Sequence, residues 1–163
     1  MSTRRALQLA ALAAIFAVAC SREDAPDGAA ASGPAAAVET ATDASLGETF
    51  GITWRLVRIN SMDDTVTTPD ERARYTLTFD AGGQVAVVAD CNRGAGTFEW
   101  SDDSRLEFGP LAMTRAMCPP ESISDRFVRE LGYVRSYVIR DGMLHLATMA
   151  DGAILDFEPA PDE

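Results

Sequence analysis

The sequence predicts a mainly β domain of the α+β class, a curved antiparallel sheet or partial barrel with one amphipathic helix. Two observations carry this prediction. The last two thirds of the chain contain several short segments in which apolar and polar residues alternate. Tight-turn signals separate these segments. One further segment has apolar residues at spacing four, the period of a helix. Because a lone amphipathic helix cannot bury its apolar face by itself, we expect it to plug or cover the curved sheet.

The strands are predicted from residue alternation and from the turns between them. The clearest hairpin covers residues 73–89, where Tyr75, Leu77 and Phe79 alternate with polar residues and Asp80-Ala-Gly-Gly turns the chain. The other strands, in chain order, are one that contains Ile52, Trp54 and Leu56, the pair Gly96–Trp100 and Arg105–Phe108 around Ser-Asp-Asp-Ser, the hairpin Val134–Arg140 and Met143–Thr148 around Asp141-Gly142, and a last strand, Ile154–Glu158.

The single helix is predicted between the strand Arg105–Phe108 and the hairpin that begins at Val134. Pro119-Pro120 stops any earlier element, Ser122 or Ser124 can cap the helix, and Gly132 ends it. Three apolar residues at spacing four lie on one face of this helix: Ile123, Phe127 and Leu131.

The N-terminus, residues 1–19, is predicted to be a secretory signal peptide of the lipoprotein type. Arg4 and Arg5 precede an uncharged apolar run that ends in small residues. The run has about 14 residues, whereas a membrane-spanning helix needs ~20. A short buried helix or a tail anchor is the alternative, which the preceding arginines and the following linker disfavour.

The junction A-V-A-C, Ala17–Cys20, resembles a bacterial lipobox, with Ala17 where leucine is usual. In such signals the cysteine is lipidated and becomes the first residue of the mature protein, so Cys20 is the predicted lipidation site and a membrane the predicted partner. By similarity to enterobacterial sorting rules, Ser21 favours the outer membrane, and we expect its periplasmic face. The alternative is an ordinary signal peptide, cut after Ala19, that leaves a free thiol.

The remaining chain divides into a tether, residues 20–45, a folded domain, residues 46–159, and a short tail, residues 160–163. The tether is rich in Ala, Gly and Pro and contains no aromatic residue, so it is predicted to be disordered. The net charge of the chain is −11, and removal of the two signal arginines makes it −13. Such an acidic protein is repelled by nucleic acid. All 14 basic residues are arginine, which excludes a lysine nucleophile and a Walker-type lysine.

Two cysteines, Cys91 and Cys118, remain after the signal and would meet an oxidising compartment, where a pair of thiols is most simply a disulfide. Closing that loop of about 28 residues would contribute roughly 3–4 kcal/mol. A metal site is disfavoured because two thiols and one histidine supply too few ligands. A cysteine–histidine catalytic pair is disfavoured because His145, the only histidine, is expected on the wet face of its strand.

The stretch around Cys91 also contains Asn92 and the glycines Gly94 and Gly96. These glycines precede a predicted strand rather than a helix, which argues against a phosphate loop. Asn92 and Gly94 are predicted to be turn residues that tolerate positive φ.

The order of the motifs is similar to that of a known family. CNRGAGTF spans Cys91–Phe98, LAMTRAMC spans Leu111–Cys118, and WRL, Trp54–Leu56, precedes both, while a helix and a hairpin follow. Over about Leu46–Pro159 the chain resembles the META domain, also called the HslJ-like or DUF306 domain. It departs from the family at Asp90, where glycine is usual, and at Phe98, where tyrosine is commoner. The motif positions are Trp54, Cys91, Asn92, Gly96, Phe98, Thr114 and Cys118.

The resemblance implies a small antiparallel β structure with a helix, often in a bacterial envelope protein. Some family members are associated with heat shock or with tolerance to an aminocoumarin antibiotic, and no catalytic activity is generally attached to them. The fold is also similar to that of lipoproteins that pilot secretin assembly and bind lipid tails. The favoured function is therefore a non-enzymatic envelope lipoprotein with a stress-related structural or binding role, and no catalytic, cofactor-binding or metal-ligating residue is predicted.

Two alternatives remain open at this stage. The first is a carrier or pilot that holds an apolar ligand inside the curved sheet, where aromatic residues and four methionines would line the pocket or simply fill the core. The methionines are Met113, Met117, Met143 and Met149. The second is an enzyme that uses carboxylates for acid–base chemistry. The candidate carboxylates are Asp90, Asp102, Asp103 and Glu107.

Overall fold

A computed structural model describes residues 45–161 of the chain. The predicted signal peptide, the lipidation site Cys20 and nearly all of the predicted tether lie outside the described residues, as do the last two residues of the predicted tail.

The described part of the chain contains ten strands and one α-helix, together with three short 3-10 turns. The strands are β1 (Thr53–Ser61), β2 (Val66–Thr67), β3 (Tyr75–Phe79), β4 (Gln84–Ala89), β5 (Asn92–Ser101), β6 (Arg105–Phe108), β7 (Ala112–Met113), β8 (Val134–Arg140), β9 (Met143–Thr148) and β10 (Ala153–Pro159), and the helix α1 is Ser124–Leu131. The 3-10 turns are Leu46–Thr49, Arg72–Arg74 and Met149–Asp151.

Eight of these strands close into an antiparallel barrel in the order β1-β3-β4-β5-β6-β8-β9-β10, because β10 also pairs with β1. The short strand β2 adds to β1, and β7 adds to β5. The predicted fold class, mainly β with one helix, is therefore confirmed, and the sheet is closed rather than partial. Closure leaves no free edge along the barrel itself.

The interior of the barrel is filled by the inward side chains that the alternation predicted. Inward residues of β3 and β9 are fully buried while their neighbours are partly exposed. The large buried side chains come from most of the strands and from the helix: Trp54, Leu56, Ile59, Tyr75, Leu77, Phe79, Leu106, Phe127, Leu131, Leu144 and Phe157. Ile52, expected in the first strand, instead precedes β1 and is partly exposed.

Each end of the barrel is covered by a different element. At one end α1 inserts Phe127, whose ring lies 5.8 Å from that of Tyr75 and 6.2 Å from that of Phe157. Arg126 of the same helix donates to the hydroxyl of Ser61, at 2.6 Å, at the end of β1. We call this the helix end. The opposite end carries the turn between β5 and β6, and we call it the open-hairpin end. There the turn Leu46–Thr49 buries Leu46 completely.

The predicted limits of α1 are confirmed at its C-terminus, where Gly132 is the capping residue. At its N-terminus the cap position is Ile123, and neither serine fills it. Ser122 contributes instead by accepting a hydrogen bond from the Ser124 amide at 3.2 Å. Among residues 45–161 no helix has the length and hydropathy to cross a membrane.

Candidate functional site

Cys91 and Cys118 form a disulfide at the helix end of the barrel. The two Cα atoms are 5.4 Å apart and the sulfur atoms 2.00 Å apart, within the range that the bond requires. The bond joins the start of β5 to the end of the segment Pro110–Cys118, which we call the strap. Neither sulfur is a free thiolate in this state, so Cys91 has no role as a nucleophile here.

Asn92, beside the disulfide, connects β5 to the strap through its buried side-chain amide. Its Oδ1 accepts hydrogen bonds from the Ala116 amide, at 2.7 Å, and from the Thr114 hydroxyl, at 3.1 Å. Its Nδ2 donates to the Ala116 carbonyl and faces the sulfur of Cys118, both at 3.3 Å. One asparagine thus fixes three positions of the strap, which explains why Asn92, Thr114 and Cys118 belong to one motif.

Gly94 and Gly96 let the strap lie directly on β5. A Cβ atom on Gly94 would stand 2.3 Å from both the Ala112 carbonyl oxygen and the Met113 sulfur. A Cβ atom on Gly96 would stand 2.7 Å from the Pro110 carbonyl oxygen. These glycines therefore permit a close approach between backbones rather than a turn.

The prediction that Asn92 and Gly94 are turn residues with positive φ is wrong, since both lie in β5. Asp90 takes the positive φ, +59°, in the turn between β4 and β5. This geometry explains why glycine is usual there, because an L-residue with a side chain adopts it at a cost. The Asp90 carboxylate contacts the guanidinium of Arg74, and the Asp90 amide donates to the Arg74 carbonyl at 2.6 Å.

The remaining motif residues, Trp54 and Phe98, lie in the core nearer the open-hairpin end. Both are almost completely buried. The ring of Phe98 packs edge-on against Phe79, with centroids 4.9 Å apart, and also contacts Phe50. The structure therefore divides the predicted motif into a cluster that anchors the strap and a pair that fills the barrel.

The carboxylates proposed for acid–base chemistry do not come together. Asp90 lies at the helix end, whereas Asp102 and Asp103 occupy the turn between β5 and β6 at the opposite end. A hydrogen bond from the Ser101 hydroxyl lowers the pKa of Asp103, the opposite of the shift that a general acid needs. Glu107 is an exposed residue of β6.

His145 lies on the outer wall of the barrel, where it has a partner that sequence reasoning missed. Its Nδ1 is 2.7 Å from Oδ1 of Asp156, a carboxylate that is almost completely buried between β9 and β1. Arg58 and Asn60 of β1 donate to the other oxygen of Asp156, at 2.7 and 2.9 Å. The signal was the aspartate in an apolar strand, AILDF. His145, Arg58 and Asn60 all contact this carboxyl group, so the cluster ties β1, β10 and β9 together.

Residues 45–161 contain no group of three or more histidine, cysteine, aspartate or glutamate side chains arranged to hold a metal ion. Of the four methionines considered for a ligand pocket, Met117 is 99% exposed and Met149 is 45% exposed. These two methionines, Met117 and Met149, therefore lie outside the buried core.

A groove of about 480 Å³ lies between the strap and α1. Leu111, Met113 and Val128 give it an apolar surface that packs on the barrel core. Its polar residues are Asn92, Thr114, Arg115, Ser124, Asp125 and Arg129. The motif cluster therefore forms one wall of a surface groove.

A family model agrees with this arrangement. The model of the META domain matches residues 47–162, which includes the barrel, the strap and α1. The chain belongs to the META domain family. A search of curated proteins finds no match.

Solved structures share the fold of this META domain at low sequence identity. An NMR structure of a protein from Burkholderia xenovorans has a TM-score of 0.58 and 22% identity, over 71% of this chain and 86% of that one. A crystal structure of a DUF4847 family protein from Bacteroides vulgatus has a TM-score of 0.55 and 16% identity, over 73% of this chain and all of that one. These likenesses establish the fold.

Proposed function

We propose that this META-domain protein is a non-enzymatic lipoprotein of the cell envelope, attached through Cys20 to the periplasmic face of the outer membrane. There the barrel serves as a binding or stability module under stress. The observation that carries the proposal is the disulfide between Cys91 and Cys118, because such bonds persist in oxidising compartments and are rare in the cytosol. The lipobox-like junction that precedes the domain supports the anchor.

The use of the motif residues supports a non-enzymatic role. The side-chain amide of Asn92 is hydrogen-bonded to the strap, Cys91 is part of a disulfide, and Gly96 permits close packing. Covalent catalysis by a serine, threonine or cysteine needs a base within hydrogen-bonding reach of that side chain. Within residues 45–161 His145 contacts the carboxyl group of Asp156, and no hydroxyl or thiol side chain hydrogen-bonds to it.

Metabolic labelling tests the anchor. Cells expressing the wild-type chain and the Cys20→Ala variant are grown with labelled palmitate, and the protein is recovered from separated inner and outer membranes. We expect label in the outer-membrane fraction of the wild type and none in the variant. Cys118→Ser is the matched control, because it removes a different cysteine and should keep the label. Equal labelling of wild type and Cys20→Ala would end the proposal.

The carrier alternative now depends on the groove rather than on the barrel interior. Large apolar side chains fill that interior, so a lipid tail could enter only by displacing them. The groove has an apolar surface formed by Leu111, Met113 and Val128. Native mass spectrometry of the purified full chain tests this alternative, and a co-purified or titratable lipid that a Val128→Asp variant loses would favour it.

A further inference from the structure

We propose that the groove between the strap and α1 binds the C-terminal end of an extended peptide, which lies along β7 with its carboxylate at Arg115 and Arg129. This inference rests on the binding role proposed above and names its partner. It does not depend on the lipid anchor, so a peptide-binding experiment and the palmitate experiment can fail separately.

The groove lies at the weakest seam of the barrel wall. Among the described strands, β6 and β8 are joined by a single bridge, Arg105–Ser136. By contrast β8 and β9 are joined by six residue pairs. Beyond the bridge, towards the helix end, the strap stands where the continuation of β6 would be, and α1 leads into β8. Within the described part of the chain no strand pairing therefore joins the strap to α1, and the groove lies in the space between them.

The strap offers an unused strand edge at this seam. The Thr114 amide donates to the Arg93 carbonyl, and Gly94 is the register partner of Met113. Because antiparallel ladder bonds alternate along a strand, the amide and carbonyl of Met113 point away from β5. Within residues 45–161 β7 pairs with β5 alone. A peptide strand added to a free edge gains backbone hydrogen bonds in this way.

The surface of the groove suits apolar side chains on such a peptide. Leu111, Met113 and Val128 are partly buried and pack against the core, so they form a fixed apolar surface. The volume of about 480 Å³ is within the range of roughly 300–1,000 Å³ that small ligands occupy. A strand alternates its side chains, so every second residue of the peptide would face this surface.

The charges at the groove favour an anionic end group. Arg115 is exposed and forms no ion pair within residues 45–161, and Arg129 has only the adjacent Glu130, at 3.7 Å. Asp125 lies at the same groove, which leaves a positive balance of one charge. In a chain with a net charge of −11, Arg115 without an ion pair among residues 45–161 and Arg129 with one long ion pair form a local site for a carboxylate.

A fatty acid could use the arginines and the apolar surface, but it has no backbone groups to pair with Met113. The strand edge is therefore the feature that separates a peptide from an anionic amphiphile. The overall negative charge of the chain argues against nucleic acid.

Fluorescence anisotropy with the full chain tests the proposal. The probe is a fluorescein-labelled pool of hexapeptides with Leu, Ile or Val at the last and third-last positions and a free C-terminal carboxylate. We expect saturable binding that weakens at least about tenfold when the carboxylate is replaced by an amide, and about tenfold again in the Arg115→Ala/Arg129→Ala variant. Arg105→Ala, at the opposite end of the barrel, is the matched control and should bind like the wild type.

The strand edge is tested by two variants at one position. Met113→Ala and Met113→Pro both remove the thioether side chain, but only proline removes the amide hydrogen that points away from β5, and neither change removes a ladder bond to β5. We expect Met113→Pro to bind at least about tenfold more weakly than Met113→Ala, with equal thermal stability of the two variants. No binding of the peptide pool to the wild type, equal binding of the amide pool, or equal binding of the two variants would each overturn the proposal. Competition by oleate that is equal for the two variants would identify an anionic amphiphile instead.

Discussion

The hairpin Val134–Thr148 is part of the barrel wall and the strap Pro110–Cys118 lies against it, and the two are held in place by different means. In the hairpin six residue pairs form a ladder with one register shift, between Val134 and Ser136, and the turn has positive φ at Asp141, +53°, and Gly142, +73°, as a two-residue turn requires. In the strap only Ala112 and Met113 pair with a strand, and the rest is fixed by Asn92 and the disulfide. The hairpin is thus stabilised by local pairing, whereas the strap depends on a few contacts that are distant in sequence.

Removal of the disulfide should have the largest effect of the changes considered. Because the bond closes a long loop, the variant Cys91→Ser/Cys118→Ser should lose roughly 3–4 kcal/mol of unfolding free energy. Urea denaturation measures this loss, and hydrogen exchange locates it. We expect the Thr114 and Ala116 amides to exchange faster than the hairpin amides, which exchange only on global unfolding. Dithiothreitol should destabilise the wild type by a similar amount and leave the variant unchanged.

Truncation in the hairpin should instead destabilise the whole barrel. Leu144 of β9 is completely buried, and replacing it by alanine leaves a cavity, at a cost of about 3 kcal/mol. The expected signature is a lower urea midpoint with the order of exchange rates along the chain preserved. Selective exposure of the hairpin alone would contradict the view that the hairpin and the core unfold together. Val138→Ala, at a 38% exposed position of β8, is the matched control and should cost little.

Asn92→Ala should weaken the strap by about 2–3 kcal/mol, because the Ala116 amide and carbonyl lose a partner that is shielded from water. Ser124→Ala is the matched control, since it removes only the longest of the Asn92 contacts, at 3.5 Å. In a double-mutant cycle with the cysteine pair, the two losses should not add, because both ties hold the same segment. Strict additivity would mean that Asn92 and the disulfide act independently.

The same contrast explains how much could be predicted from the sequence. The bounds of β8 and β9 and the turn between them were predicted correctly, because alternation and Asp141-Gly142 are local signals. The strap was not predicted as an element, since its partners Asn92, Gly94 and Gly96 lie about twenty residues earlier and pattern analysis has no means of pairing them. Resemblance to the family placed Asn92 and Gly96, but not Gly94, among its motif positions, and it did not show what they hold.

The barrel closure also could not be predicted, because it depends on the pairing of β1 with β10 at the two ends of the domain. Curvature was predicted from the lone helix, and closure follows only once the number of strands and their register are known. The cluster around Asp156 was missed for a similar reason. Arg58 and Asn60 are far from Asp156 in sequence, and an isolated aspartate in a strand does not identify its donors.

A pair of glycine substitutions compares the two regions at the smallest scale. Gly94→Ala in β5 brings a Cβ atom to 2.3 Å from the Ala112 carbonyl oxygen, and backbone cannot yield as a side chain can, so we expect a loss of about 2 kcal/mol. Gly142→Ala in the hairpin turn meets no atom within 4 Å and carries only the strain of its positive φ, about 1 kcal/mol. Urea denaturation compares the two losses, and hydrogen exchange at Thr114 should respond to Gly94→Ala alone. An equal response at Thr114 to both substitutions would show that the strap is not held by its close approach to β5.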